Sequence, residues 1–171
     1  MKLSILKTAL FLCFFGHIAA NAQNDKSLQL KSGDYTFQSN FDKSVDGELV
    51  NDNYYRIIQF KEIPSTEQKE DLKNSGVTLL NYIPRNSFYA QINSDVDLSL
   101  LSSYGVNSVN KIKNNYKLSN NLNLNKYDEW SLNGSKINLN AIFFEGVSEN
   151  DAKTMLNNVG AEIIIVNGNN V

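Results

Sequence analysis

The chain has 171 residues, 42% of them hydrophobic, and 16 Lys and Arg against 18 Asp and Glu. A mildly acidic chain without a Lys/Arg cluster argues against nucleic acid, whose binding rests on neutralising phosphates, and equally against an anionic membrane surface. It holds one Cys and one His, Cys13 and His17, so both residues matter only if they stay in the working protein.

They are not expected to stay. Lys2 and Lys7 form a positive start, Leu10 to Phe15 and Ile18 to Ala20 supply an apolar core, and Ala20-Asn21-Ala22 precedes Gln23. That order reads as a secretory signal peptide over residues 1–22, cleaved between Ala22 and Gln23. The apolar run is short for a membrane span, and polar sequence follows at once. An acylated Cys13 would want small residues before it, where Phe11 and Leu12 stand. Cleavage implies a secreted or periplasmic protein with no membrane attachment. The remaining 149 of 171 residues carry 14 basic against 18 acidic groups, a net −4, with no His and no Cys. Ser-His-Asp, cysteine and histidine-metal catalysis are then all out of reach, and no disulfide supports the fold.

Residues 23–52 are polar, with Ser32-Gly33-Asp34 and Asp46-Gly47, and read as a leader with a short strand near Tyr35 to Phe37. Regular structure starts at Asn53. Tyr54 to Phe60 is aromatic and β-branched, a strand by content. After Pro64, Ser65-Thr66-Glu67-Gln68 fits a capping box, which predicts a helix from Thr66 to Ser75 that stops at Gly76. Val77 to Tyr82 is a second strand, Pro84-Arg85-Asn86 a turn, and Ser87 to Ile92 a third strand with alternating character. Asp97 to Tyr104 carries Leu98, Leu100 and Leu101 as a short helix, and Val106 to Ile112 is a fourth strand. The order over residues 53–112 is β-α-β-β-α-β, which predicts an α+β, ferredoxin-like sandwich with two helices on one face of an antiparallel sheet. Its greasy face is expected from Ile58/Phe60, Leu80/Tyr82 and Phe88/Ala90/Ile92.

This domain extends to about residue 118, and 119–135 reads as a linker within an Asn-rich stretch that has six Asn between 114 and 125. Residues 136–171 then repeat the first pattern in part. Lys136 to Phe144 is a strand, Ser148-Glu149-Asn150-Asp151 caps a helix, and Ala152, Met155, Leu156 and Val159 form its apolar stripe. Gly160 ends the helix, and Ala161 to Val166 reads as a buried strand. A gap-free offset of 84 residues aligns Ile58, Phe60, Leu72, Asn74, Gly76 and Leu80 with Ile142, Phe144, Leu156, Asn158, Gly160 and Ile164. The second unit is an incomplete β-α-β, with strand edges that need the first sheet or a partner to cover them.

Few groups suggest chemistry. Asp95-x-Asp97 and Glu67/Glu70/Asp71 are the densest carboxylates, and capping and a solvated helix face account for them better than a cation does. No cofactor motif is present, and Asn133-Gly134-Ser135 is a glycosylation sequon of the kind that an Asn-rich chain produces by chance. Trp130 with Tyr127 reads as a staple holding the linker to the sheet, or as a stacking platform for a ligand. Tyr54, Tyr55, Tyr82, Phe88 and Tyr89 are mostly core by their spacing. Tyr55 and Tyr89 are out of phase with the inward set and are the aromatic residues left to face a partner.

The run Tyr55-Arg56-Ile57-Ile58-Gln59-Phe60, then Ile63-Pro64-x-x-x-Gln68, Leu72, Gly76, Leu80, Tyr82-Ile83-Pro84 and Phe88-Tyr89-Ala90 resembles the N-terminal pro-region of secreted bacterial subtilisin-like serine peptidases. The likeness covers residues 53–118 and, more faintly, 136–166. It implies an inhibitor propeptide-like domain that packs on a subtilisin-like catalytic domain, assists its folding and blocks its cleft. The Asp, His and Ser segments of that family's triad are missing, so the resemblance implies a non-catalytic role, as a piece of a protease system. The other reading is a secreted α+β module that binds a peptide, a sugar or a small ligand.

Overall fold

The computed structural model describes residues 27–43 and 47–167. The segment expected to be a signal peptide, with Ala22 and Gln23, lies outside the described residues. The fold is mixed α+β, built on the four-stranded antiparallel sheet that the alternation of residues 53–112 predicts.

Strand β1 (Ser27–Leu30) and strand β2 (Gly33–Thr36) form a hairpin. Strand β3 (Asn53–Phe60), helix α1 (Thr66–Asn74), strand β4 (Val77–Ile83) and strand β5 (Ser87–Asn93) follow. A 3-10 turn (Leu98–Tyr104) leads into strand β6 (Val106–Lys111). The sheet order is β4-β5-β3-β6, with every neighbouring pair antiparallel. That is the strand order of a ferredoxin-like sandwich, and the second crossover is a 3-10 turn instead of an α-helix.

Local chemistry explains these bounds. Ser65 Oγ accepts from Gln68 N at 3.2 Å while Ser65 N donates to Gln68 Oε1 at 2.9 Å, so the capping box satisfies two free helix-end groups. Helix α1 buries only Leu72. Its stop is firmer: Gly76 has φ +88°, and a Cβ there would lie 2.9 Å from Val96 Cγ2. Asp97 caps the 3-10 turn by accepting from Ser99 N at 3.0 Å, and this hydrogen bond holds its carboxyl below its ordinary range. Asp97 is thus a cap, as its position in the sequence suggests.

Each sheet face has its own core. On the helix side Tyr54, Ile58, Phe60, Leu72, Val77, Phe88, Ala90, Ile92, Leu98, Leu101, Val106 and Val109 pack together. The inward pair expected in β4, Leu80 and Tyr82, is corrected. Pairing shifts between Leu79 and Tyr82, so Val77 and Leu79 turn inward and Leu80 leaves the face, while Tyr82 keeps only an edge contact with Phe88 and is half exposed. A bulge puts two residues opposite one, which flips the alternation beyond it.

The opposite face is covered by the segment that reads as a leader. Leu28 and Phe37 from the hairpin, with Ile57, Ile83, Ile112 and Tyr116, form a second buried cluster. Residues 40–42 lie along β6, where Val109 N donates to Asn40 O at 2.8 Å and Asp42 N to Val109 O at 2.9 Å. The hairpin and this edge therefore belong to the folded unit.

Downstream, α2 (Asn114–Lys117) and α3 (Asn120–Asn123) are single turns, and β7 (Leu132–Asn133) pairs with β8 (Lys136–Ile137). Helix α4 (Glu149–Asn158) forms as its cap predicts, with Ser148 Oγ accepting from Asp151 N at 3.1 Å. The strands expected around it are corrected. Only Lys136 and Ile137 of the stretch 136–144 lie in a strand, and 161–166 form none. A strand is held by a run of its neighbour's hydrogen bonds, and beyond Ile137 the pairing is reduced to isolated bridge residues, Ile142 and Asn167. Trp130 is also corrected: it is 80% exposed instead of stapling the linker. The turn is anchored by buried Ser131, whose Oγ donates to Asp128 O at 2.6 Å, and that anchor leaves the indole outside.

Candidate functional site

Tyr55 and Tyr89 sit on adjacent central strands, on the face away from α1. Residues of this chain already cover them. The Phe144 ring stacks on Tyr55 with centroids 4.8 Å apart and planes 12° apart, and meets Tyr89 at 5.1 Å. Burial raises the pKa of both phenols above the usual tyrosine value. The two tyrosines thus form a socket for Phe144, a residue that the sequence offers only as the repeat partner of Phe60.

That socket fixes the start of the second unit. Val147 and Ala152 are buried just beyond it, and Asn51 Nδ2 donates to Asp151 Oδ2 at 3.0 Å. Past this anchor the apolar surface opens outward. Leu139, Ile142, Val159, Ile164 and Ile165 are exposed, Ile164 at 71% and Ile165 at 73%. Aliphatic side chains left in water at this density mark a surface awaiting a cover.

Of these residues, Leu139, Ile164 and Ile165 line a cleft of about 1000 Å³. One wall is the run 136–141, the other 160–165, and Leu156 of α4 lies between them. Ile142 and Asn167, at the far ends of the two runs, are isolated bridge residues. Lys136 and Glu162 form a salt bridge across it, and the pairing lowers the Glu162 pKa. The other polar liners are the amides of Asn133, Asn138, Asn140 and Asn167.

A charged cluster escaped the sequence reading altogether. Arg56 lies in the middle of β3 and is only 2% exposed. Its Nε donates to Asp42 O at 3.0 Å and its NH1 to Tyr55 O at 2.8 Å, while NH2 meets Glu48 Oε2 at 2.9 Å. The guanidinium also lies 4.7 Å over the Tyr54 ring, and Glu48 is ion-paired to Lys111 as well. Burial pushes the Glu48 carboxyl up, but hydrogen bonds and charge from Lys111 and Arg56 outweigh it and hold the pKa below normal. This network ties Asp42 and Glu48 to the sheet. An Arg after two tyrosines in a strand signals burial only once its partner, eight residues upstream, is known.

Among the described residues no three His, Cys, Asp or Glu side chains gather as a metal-binding group, and no helix is long and apolar enough to cross a membrane. Residues 29–113 match the family described as Domain of unknown function (DUF8729). The match runs from within the hairpin through the last strand of the sheet. No curated protein and no solved structure matches the chain.

Proposed function

We propose that this chain is the non-catalytic, propeptide-like part of a secreted subtilisin-like protease system, and that it engages the protease domain through its second unit. The observation that carries this reading is the distribution of cover over the two units. The first unit is closed: its helix face is packed, and its other face is capped by Leu28, Phe37, Tyr116 and Phe144. The second presents Leu139, Ile142, Ile164 and Ile165 to solvent, and Leu139, Ile164 and Ile165 line an open cleft. A closed scaffold that holds out an unfinished apolar unit suits a domain whose surface is completed by its client.

The role divides accordingly. The ferredoxin-like unit supplies a stable platform, and Phe144 in its tyrosine socket orients the binding unit. No side chain here needs to do chemistry, because inhibition and assisted folding require only burial and backbone pairing against the enzyme. The test is direct. The full chain, purified from an exporting host, is mixed with a subtilisin-type protease, and hydrolysis of a chromogenic peptide is followed. Slowing at micromolar chain is expected, and unchanged hydrolysis would remove the inhibitor reading for that enzyme. The cleft also suits the second reading, a secreted module for a peptide, which predicts binding without any effect on the protease.

A further inference from the structure

Chemistry that needs no catalyst singles out one asparagine. The chain has two Asn-Gly pairs, Asn133-Gly134 and Asn167-Gly168. A glycine after an asparagine has no Cβ to keep its backbone nitrogen away from the side-chain amide, and its φ and ψ are free to bring the two together. Asn167 takes part in an isolated bridge. Asn133 and Gly134 are both exposed, Gly134 has φ +60°, and no heavy atom crowds the place where its Cβ would stand. They span the end of β7 and the turn into β8, and each of these strands is only two residues long. So short a ladder opens readily, which gives the Gly134 nitrogen room to swing onto the Asn133 side chain.

We propose that Asn133 is a deamidation site, and that its conversion draws Lys136 away from Glu162. The Gly134 N–H gives its proton to water or hydroxide, and the nitrogen attacks Asn133 Cγ. The bond from Cγ to the side-chain nitrogen breaks, ammonia leaves, and a cyclic succinimide closes. Water then opens the ring. Cleavage between Cγ and the Gly134 nitrogen leaves an ordinary aspartate at this position. Cleavage at the main-chain carbonyl leaves an isoaspartate, whose backbone runs through the side chain. Water enters, ammonia leaves, and nothing is oxidised or reduced. Either product carries a carboxylate where the amide stood. Asn133 is paired with Lys136 in the hairpin register, so the new carboxylate faces the ammonium across the strands. Lys136 in turn donates to Glu162 Oε2, in an ion pair whose side chains are 68% and 70% exposed. A pair this open to solvent is held weakly, and a second anion within the same hairpin competes for the cation. The pair joins the hairpin to the 160–165 wall of the cleft, so the modification changes both the charge and the tethering of that wall. The isoaspartate also adds a backbone carbon, which puts β7 out of step with β8. The inference uses the hairpin and its ion pair alone and does not depend on the protease reading.

The full chain, purified from an exporting bacterial host, is held at mildly alkaline pH under conditions in which a free peptide of residues 130–138 converts. Intact mass and peptide mapping read the product. The expected result is replacement of NH by O at Asn133, as aspartate and isoaspartate, earlier than at any other described asparagine. Asn133→Gln, whose longer side chain closes the ring poorly, should abolish conversion at this site. No conversion at Asn133 while the free peptide converts, or earlier conversion elsewhere, would overturn the site. Asn133→Asp tests the consequence directly. Lys136 holds the Glu162 carboxyl below its ordinary range in the parent. In the variant, NMR titration should find Glu162 shifted back toward the ordinary glutamate value, with amide exchange in β3 and β5 unchanged. Identical Glu162 titration in the two chains would overturn the change of partner.

Discussion

Phe144 is the residue on which the two halves meet, and its contacts give it a measurable signature. Removing the ring as Phe144→Ala deletes two aromatic pairs, at 4.8 and 5.1 Å, with a cost of about 1–3 kcal/mol at roughly 0.5–1.5 per pair. The same change exposes the Tyr55 and Tyr89 hydroxyls, whose pKa values burial now raises. Ultraviolet titration should show three phenols, Tyr54, Tyr55 and Tyr89, ionising above the usual tyrosine range in the parent, and two of them, Tyr55 and Tyr89, nearer to it in the variant. A phenol that keeps its proton in the fold but loses it when unfolded favours unfolding at high pH. The associated stability is therefore complete below about pH 10 and falls as pH rises through the folded values. Glu48 works in the opposite direction. Its pKa is depressed in the fold, so its contribution is present above about pH 4.3 and is lost as pH falls through the lower folded value. Arg56→Met should cost roughly 2–3 kcal/mol in a denaturant melt at pH 7, less than a fully buried pair because Glu48 is partly exposed. It should also flatten the acid limb of the stability curve. An unchanged acid limb would show that the pair does not carry that pH dependence.

Elements differ in how far the sequence determines them. Helix α1 is written locally: Ser65, Gln68 and Gly76 state its start and stop within twelve residues, and the structure uses all three. Gly76→Ala should destabilise by about 2 kcal/mol, from the left-handed backbone and the close Val96 methyl, in a thermal or denaturant melt. Strands β3, β5 and β6 are legible for the same reason, since their alternation needs only a face to point at. The bulge in β4 is not legible, because Leu79, Leu80 and Tyr82 are all suitable for either face and only the pairing with β5 selects among them. The hairpin is hidden differently. Leu28 and Phe37 are isolated apolar residues in polar sequence, and their burial depends on Ile57 and Ile83, which arrive some 20 to 55 residues later. The second unit shows the reverse. Ile163 to Val166 has every strand preference, yet forms no strand because propensity supplies no partner.

At the scale of the molecule, a closed unit carries an open one. The aromatic pair that the sequence marks for a partner is turned to internal use, and the proposed function gives that duty to the exposed aliphatics of the second unit. The most direct measurement compares inhibition of a subtilisin-type protease by the parent chain and by Ile142→Lys/Ile165→Lys, both sites being 73% exposed and so tolerant of charge in the fold. The parent should slow chromogenic-peptide hydrolysis at micromolar concentration, and the double variant should lose about tenfold or more of that potency with an unchanged melting temperature. Equal inhibition by both chains, or none by the parent, would contradict the account.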